Sequence, residues 1–167
     1  MNASTNNLPL TLRTTNSGFT LIELMVTIAV LAIIVGIAAP SIIEQLASNQ
    51  IKATSTLIQT SIARAKAESA ISRNDITWSY NATNKQIKLS NSSNTLASYS
   101  LSSNSLLTLT PATVTSLIIK KEGFITTVAG TAANLAIDVS DNRANTTIKR
   151  VRINTKRAFE CSGTNCQ

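Results

Sequence analysis

Hydrophobic positions are spread unevenly along the chain. Residues 1–18 are polar, with Arg13 as their single charge. From Phe19 to Ala39 the chain reads FTLIELMVTIAVLAIIVGIAA, apolar on every helical face and broken by one charge, Glu23. A helix of that length spans roughly 30 Å, about the thickness of bilayer hydrocarbon, and its lack of a polar face separates it from an amphipathic surface helix. Beyond Pro40 the helical period continues but becomes one-sided. Apolar residues fall at Ile43, Ala47, Ile51, Ile58, Ile62 and Ala65, with Glu44, Gln45, Lys52 and Arg64 between them. No Gly or Pro interrupts residues 41–72. The pattern predicts one helix from about Phe19 to about Ser72, perturbed near Gly36 and Pro40, whose second half lays an apolar stripe on a sheet.

From Asp75 onward the period moves towards two. Strands are predicted at Thr77–Tyr80, Gln86–Ser90, Leu96–Leu101, Leu106–Thr110, Ser116–Lys120, Phe124–Val128, Leu135–Ser140, Thr146–Asn154 and Ala158–Cys161. Turn clusters separate them: Asn81-Ala82-Thr83-Asn84, Asn91-Ser92-Ser93-Asn94, Glu122-Gly123 and Ser140-Asp141-Asn142. The Ser/Asn-rich stretch 91–105 reads either as containing the strand Leu96–Leu101 or as loop throughout. Short strands at this spacing predict an antiparallel sheet, and the class is α+β. Four segments follow: 1–18, 19–39, 40–72 and a β-rich head at 73–167.

Composition narrows the chemistry. The chain has no His, which removes the usual base of hydrolase triads and the commonest transition-metal ligand. No acid–base pair or nucleophile site stands out, so neither enzyme activity nor a cofactor nor a metal site is expected. Asp138 and Glu160 read as isolated surface carboxylates. The net charge of +7 favours anionic partners such as phospholipid, nucleic acid or acidic protein faces. The two cysteines, Cys161 and Cys166, are an even count that reads as a disulfide in an exported chain.

Glu23 is the informative residue. A carboxylate inside a membrane segment costs about 2.5–3.5 kcal/mol, so it calls for a partner. Cleavage after Gly18 would make Phe19 a free amine one helical turn from Glu23, at the helix end that favours negative charge. In an assembly, the carboxylate of one subunit could neutralise the amine of the next, removing two unpaired charges from apolar surroundings. A secretory signal peptide has a shorter apolar run, and a plain anchor leaves Glu23 unexplained.

Ser17-Gly18-Phe19-Thr20-Leu21-Ile22-Glu23-Leu24 resembles the class III signal of type IV prepilins and type II secretion pseudopilins. The resemblance implies a type IV pilin fold: one long N-terminal helix, transmembrane in its first half, packed on a C-terminal antiparallel β-sheet head. It implies a leader of residues 1–18 cut after Gly18 by a prepilin peptidase, N-methylation of Phe19, Glu23 as the assembly glutamate and Pro40 as a helix kink. It also implies an inner-membrane subunit with a periplasmic head that joins a pilus or pseudopilus. Its partners would be other minor pilins, the major pilin and the assembly platform. The layout, with a hairpin over Thr146–Cys161, is similar to the GspH/FimT/FimU group. Within it the expectations are a FimU-like minor pilin that helps initiate the filament at its tip, a FimT-like DNA-binding pilin for natural transformation, or a GspH-like pseudopilin of type II secretion.

The FimT branch binds DNA through a C-terminal Gly-Arg-x-Arg loop, where this chain has Lys156-Arg157-Ala158-Phe159. Candidate DNA contacts are Lys149, Arg150, Arg152, Lys156 and Arg157, and no acid lies between Arg143 and Arg157. Strand alternation puts Arg150 and Arg152 on one face, Lys149 and Val151 on the other, and Lys156 and Arg157 on the adjoining turn. The cluster reads either as a phosphate-binding patch or as a charged sheet edge that blocks unwanted pairing.

Overall fold

The computed structural model describes residues 18–161, the side chains of 144–147 excepted. The chain divides into two compact units that meet between Ala39 and Pro40.

In the first unit, helix α1 begins at Leu21 and runs to Ser72 in the second. Its start is capped by Thr20. Thr20 precedes the first helical residue, and its Oγ1 accepts the backbone N–H of Glu23 at 3.2 Å. The sequence Thr20-Leu21-Ile22-Glu23 has the Thr-x-x-Glu spacing of a capping box, and the Thr20 bond satisfies a donor left over at a helix N-terminus. The large apolar side chains of this half, Ile22, Val26, Ile33 and Ile37 among them, are all exposed. The helix is long and apolar enough to cross a membrane by length and composition. It continues through Gly36 and Pro40. Pro40 lacks an N–H, so the carbonyl four residues back, at Gly36, loses its ordinary helical donor.

The second unit builds its core between the remainder of α1 and two antiparallel sheets. Strands β1 (Ile76–Asn81), β2 (Gln86–Ser90), β3 (Thr95–Ser100), β5 (Ser116–Ile119) and β6 (Ile125–Thr127) form a five-stranded sheet in the order β3-β2-β1-β5-β6. Strands β4 (Ser105–Thr110), β7 (Asn134–Asp141), β8 (Ala144–Asn154) and β9 (Ala158–Cys161) form the second, in the order β4-β7-β8-β9. The strands fall where the alternation placed them, with ends moved by one or two residues. The 91–105 stretch does hold a strand: β3 pairs with β2 across an Asx-type turn in which Asn91 Oδ1 accepts the N–H groups of Ser93 and Asn94. At the β5–β6 hairpin, Gly123 supplies φ 86° while its N–H donates to the Lys120 carbonyl at 2.8 Å, a backbone that suits glycine.

The buried stripe of α1 runs through Ala47, Ile51, Thr54, Ser55, Ile58, Ser61, Ile62, Ala65 and Ser69. Ile43, expected on this stripe, is 46% exposed. The stripe packs on Ile76, Trp78, Ile87 and Leu117 of the first sheet and on Leu135, Ile137, Val151 and Ile153 of the second. Four of its positions are hydroxyl side chains, and three of them bond to a neighbour. Thr54 Oγ1 lies 3.2 Å from Ser105 Oγ on β4. Ser61 Oγ donates to the Ile58 carbonyl and accepts the Trp78 indole N–H at 2.9 Å. Ser55 reaches β9. Periodicity alone marks these residues as polar; their burial depends on partners from the sheets.

Candidate functional site

Two regions carry the residues singled out above. The first is the start of α1. Gly18 and Phe19 precede the helix, Phe19 is 78% exposed, and Glu23 is the acid of its first turn. Thr20, which sequence reading passed over, holds the backbone of Glu23 by the capping bond described above. The Thr-x-x-Glu spacing was the available signal. A helix start fixed at Leu21 sets Phe19 one turn before Glu23 along the chain. Arg13 and residues 1–17 of the expected leader lie outside the described residues.

The second region is the β8–β9 hairpin. Register and burial divide its basic residues between two faces. Val151 and Ile153 are buried against α1, and Lys149 shares their face. Arg150 and Arg152 point away from it, opposite Asp138 and Ala136 of β7. The alternation expected for residues 149–153 is therefore present.

Asp138 and Glu160, expected to be isolated surface carboxylates, are both ion-paired. Asp138 takes a two-point contact from Arg150, Nε to Oδ1 at 2.6 Å and Nη2 to Oδ2 at 2.8 Å. Such a fork uses the geometry that distinguishes arginine from lysine. Glu160 accepts Lys149 Nζ at Oε1 and the Ser55 hydroxyl at Oε2, the latter at 2.8 Å. The Lys149 ammonium and the Ser55 hydroxyl together hold the Glu160 carboxyl below the usual carboxylate range. Glu160 thus ties β9 and β8 to α1. Arg143 is engaged with Asp141, whose side chain is fully buried. Sequence distance hides all but the last pairing, because strand register sets Asp138 beside Arg150 on one face and Glu160 near Lys149 on the other.

Among the described residues Arg152, Lys156 and Arg157 have no carboxylate partner. Arg152 Nη2 donates to the neutral Asn134 Oδ1 at 3.2 Å. Lys156 and Arg157 lie in the tight turn between β8 and β9, where Asn154 Oδ1 accepts both backbone N–H groups at 2.9 Å. The Arg157 guanidinium sits over the Phe159 ring, 5.2 Å from its centroid. Cys161 closes β9, and Cys166 lies outside the described residues. Among the described residues no group of His, Cys, Asp and Glu is placed to hold a metal ion.

Comparison with known proteins bears on both regions. The sequence family described as the prokaryotic N-terminal methylation motif matches residues 13–39. The structure is similar to the crystal structure of the type IV minor pilin FimU from Pseudomonas aeruginosa PAO1. The TM-score is 0.54 at 15% identity, over 67% of this chain and 88% of that one. It is also similar to the minor pseudopilin EpsH from the type 2 secretion system of Vibrio cholerae. There the TM-score is 0.51 at 10% identity, over 68% and 97% of the two chains. No curated protein matches the sequence. The molecule therefore has the type IV pilin fold: a long N-terminal helix packed, through its second half, on an antiparallel β head. The methylation motif lies over the start of that helix.

Proposed function

We propose that the chain is a FimU-like minor pilin, inserted in the inner membrane and then built into a type IV pilus near its initiating end. In this reading a prepilin peptidase cuts after Gly18 and methylates Phe19, and Glu23 meets the new amine during assembly. Pro40 loosens the helix, and Cys161 and Cys166 form a disulfide that closes the tail of the head. The observation that carries the proposal is Glu23, the one charge between Phe19 and Ala39, fixed in the first turn by Thr20. A carboxylate there is costly in hydrocarbon unless a cation answers it. Its test is the mass of the mature protein together with a Glu23→Ala variant. The expected mass is that of a chain beginning at methylated Phe19, and the variant should be processed yet fail to enter filaments. Normal incorporation of the variant would refute the assembly role.

The likeness to EpsH supports a second reading, a pseudopilin in a secretion filament. A deletion strain separates the two: loss of piliation fits the first, and loss of protein secretion with intact pili fits the second. The DNA-binding reading has less support. Lys149 and Arg150 are neutralised by Glu160 and Asp138, which leaves too few free cations in line for a row of phosphates.

A further inference from the structure

The outer face of the β4-β7-β8-β9 sheet carries a groove of about 330 Å³ lined by Thr110, Pro111, Asn134, Ala136, Arg150 and Arg152. Its floor follows from register: Thr110 pairs with Ala136, and Ala136 with Arg152. The small Ala136 between two longer side chains makes the depression. Arg150 forms one end and is already spent on Asp138. Arg152 is half-buried, and its guanidinium meets only the neutral amide of Asn134 among the described residues. A guanidinium with most of its five donors unused, beside hydroxyl and amide groups and without a competing acid, is suited to a carboxylate.

We propose that this groove receives a carboxylate side chain from a different, acidic protein subunit, held by Arg152. The proposal rests on the minor-subunit reading above and names the chemistry of one neighbour. Charge selects a different subunit over a second copy. The chain carries +7, so two copies repel. Of its eight acids, Asp75, Asp138, Asp141 and Glu160 are already committed to ion pairs. The same observations favour protein over nucleic acid. One uncommitted guanidinium in a confined groove suits a single carboxylate, whereas a polyanion draws on a row of cations. The aromatic ring next to it, Phe159, pairs in register with Arg152 and has the Arg157 guanidinium against it, so that face is not open to a stacking base.

The test uses the full chain in detergent micelles, titrated with a blocked hexaglutamate peptide and, separately, with a 20-base single-stranded DNA. The peptide should bind, and Arg152→Gln should weaken it about tenfold or more, the usual worth of a charge-assisted contact. Thr110→Trp, which fills the groove and leaves every charge in place, should weaken it as well. Arg143→Gln should leave it unchanged, since Arg143 is held by Asp141. Circular dichroism of each variant checks folding. Wild-type binding by both groove variants, or no peptide binding at all, overturns the proposal. Tighter binding of the DNA than of the peptide, falling steeply with salt, also overturns it and makes the face a nucleic-acid surface. In cells, filaments containing the wild type but not Arg152→Gln support the groove. Equal incorporation of both defeats the groove and leaves the minor-subunit reading standing. Absence of the wild type from any filament defeats that reading, whatever the peptide does.

Discussion

Trp78, the single tryptophan of the chain, is 1% exposed and donates its indole N–H to Ser61 Oγ at 2.9 Å. The bond joins β1 to the buried stripe of α1. Ser61→Ala removes the acceptor and leaves the indole donor in a dry core, which costs about 1–3 kcal/mol. The loss of the Ser61 contact to the Ile58 carbonyl adds little, because that carbonyl lies within a helix. Alanine is the better helix former and returns about 0.5 kcal/mol. The expected net destabilisation is therefore about 0.5–2.5 kcal/mol. Trp78→Phe removes the donor itself and leaves a smaller side chain in the core. In that background Ser61→Ala strands no donor, so its cost should fall to near zero. The coupling between the two changes should be about 1 kcal/mol or more. Urea unfolding of the full chain in detergent measures each arm by circular dichroism. Trp78 emission, free of interference from any second tryptophan, follows the wild type and Ser61→Ala. Equal costs for Ser61→Ala in both backgrounds would refute the reasoning, because the serine would then act independently of the indole.

Buried and paired side chains give three further expected outcomes. Ser69 Oγ is buried and has no hydrogen-bond partner among the described residues, so Ser69→Ala should stabilise the fold by about 1 kcal/mol in the same urea assay. Glu160 and Asp141 have carboxyls held below their ordinary values, by Lys149 with Ser55 and by Arg143 respectively. Their contribution is complete above the unfolded carboxylate values, about pH 4–5, and is lost as pH falls through the lowered folded values. Urea midpoints should therefore drop on acidification from about pH 5 to 3. Glu160→Gln should destabilise the fold at neutral pH by a modest amount, about 0.5–1 kcal/mol for a partly exposed pair, and flatten the acid limb of the midpoint. An acid limb as steep as that of the wild type would show that Glu160 does not contribute to it.

Local pattern carried much of this fold. Unbroken hydrophobicity from Phe19 to Ala39 and one-sided periodicity after Pro40 specify a long helix, because helical side-chain contacts repeat within a few residues. The strands were legible for the same reason: alternation over residues 116–119 or 135–139 needs no knowledge of a partner. The Gly18-Phe19 and Glu23 signal is likewise contiguous, as is the Thr20 cap. Register and topology are different, since they depend on residues brought together from far apart in sequence. The arrangement of the nine described strands as two sheets could not be read from alternation. Nor could the burial of Ser55, Ser61 and Thr54, which is tolerable only because Glu160, Trp78 and Ser105 arrive from β9, β1 and β4. The basic run 143–157 shows the division most clearly. Alternation separates Lys149 from Arg150, but only the pairing of β7, β8 and β9 sets them against Glu160 and Asp138 and leaves Arg152 with no carboxylate partner among the described residues. Ion pairs form through space, and the chain reveals them only once folding has set which strands are neighbours.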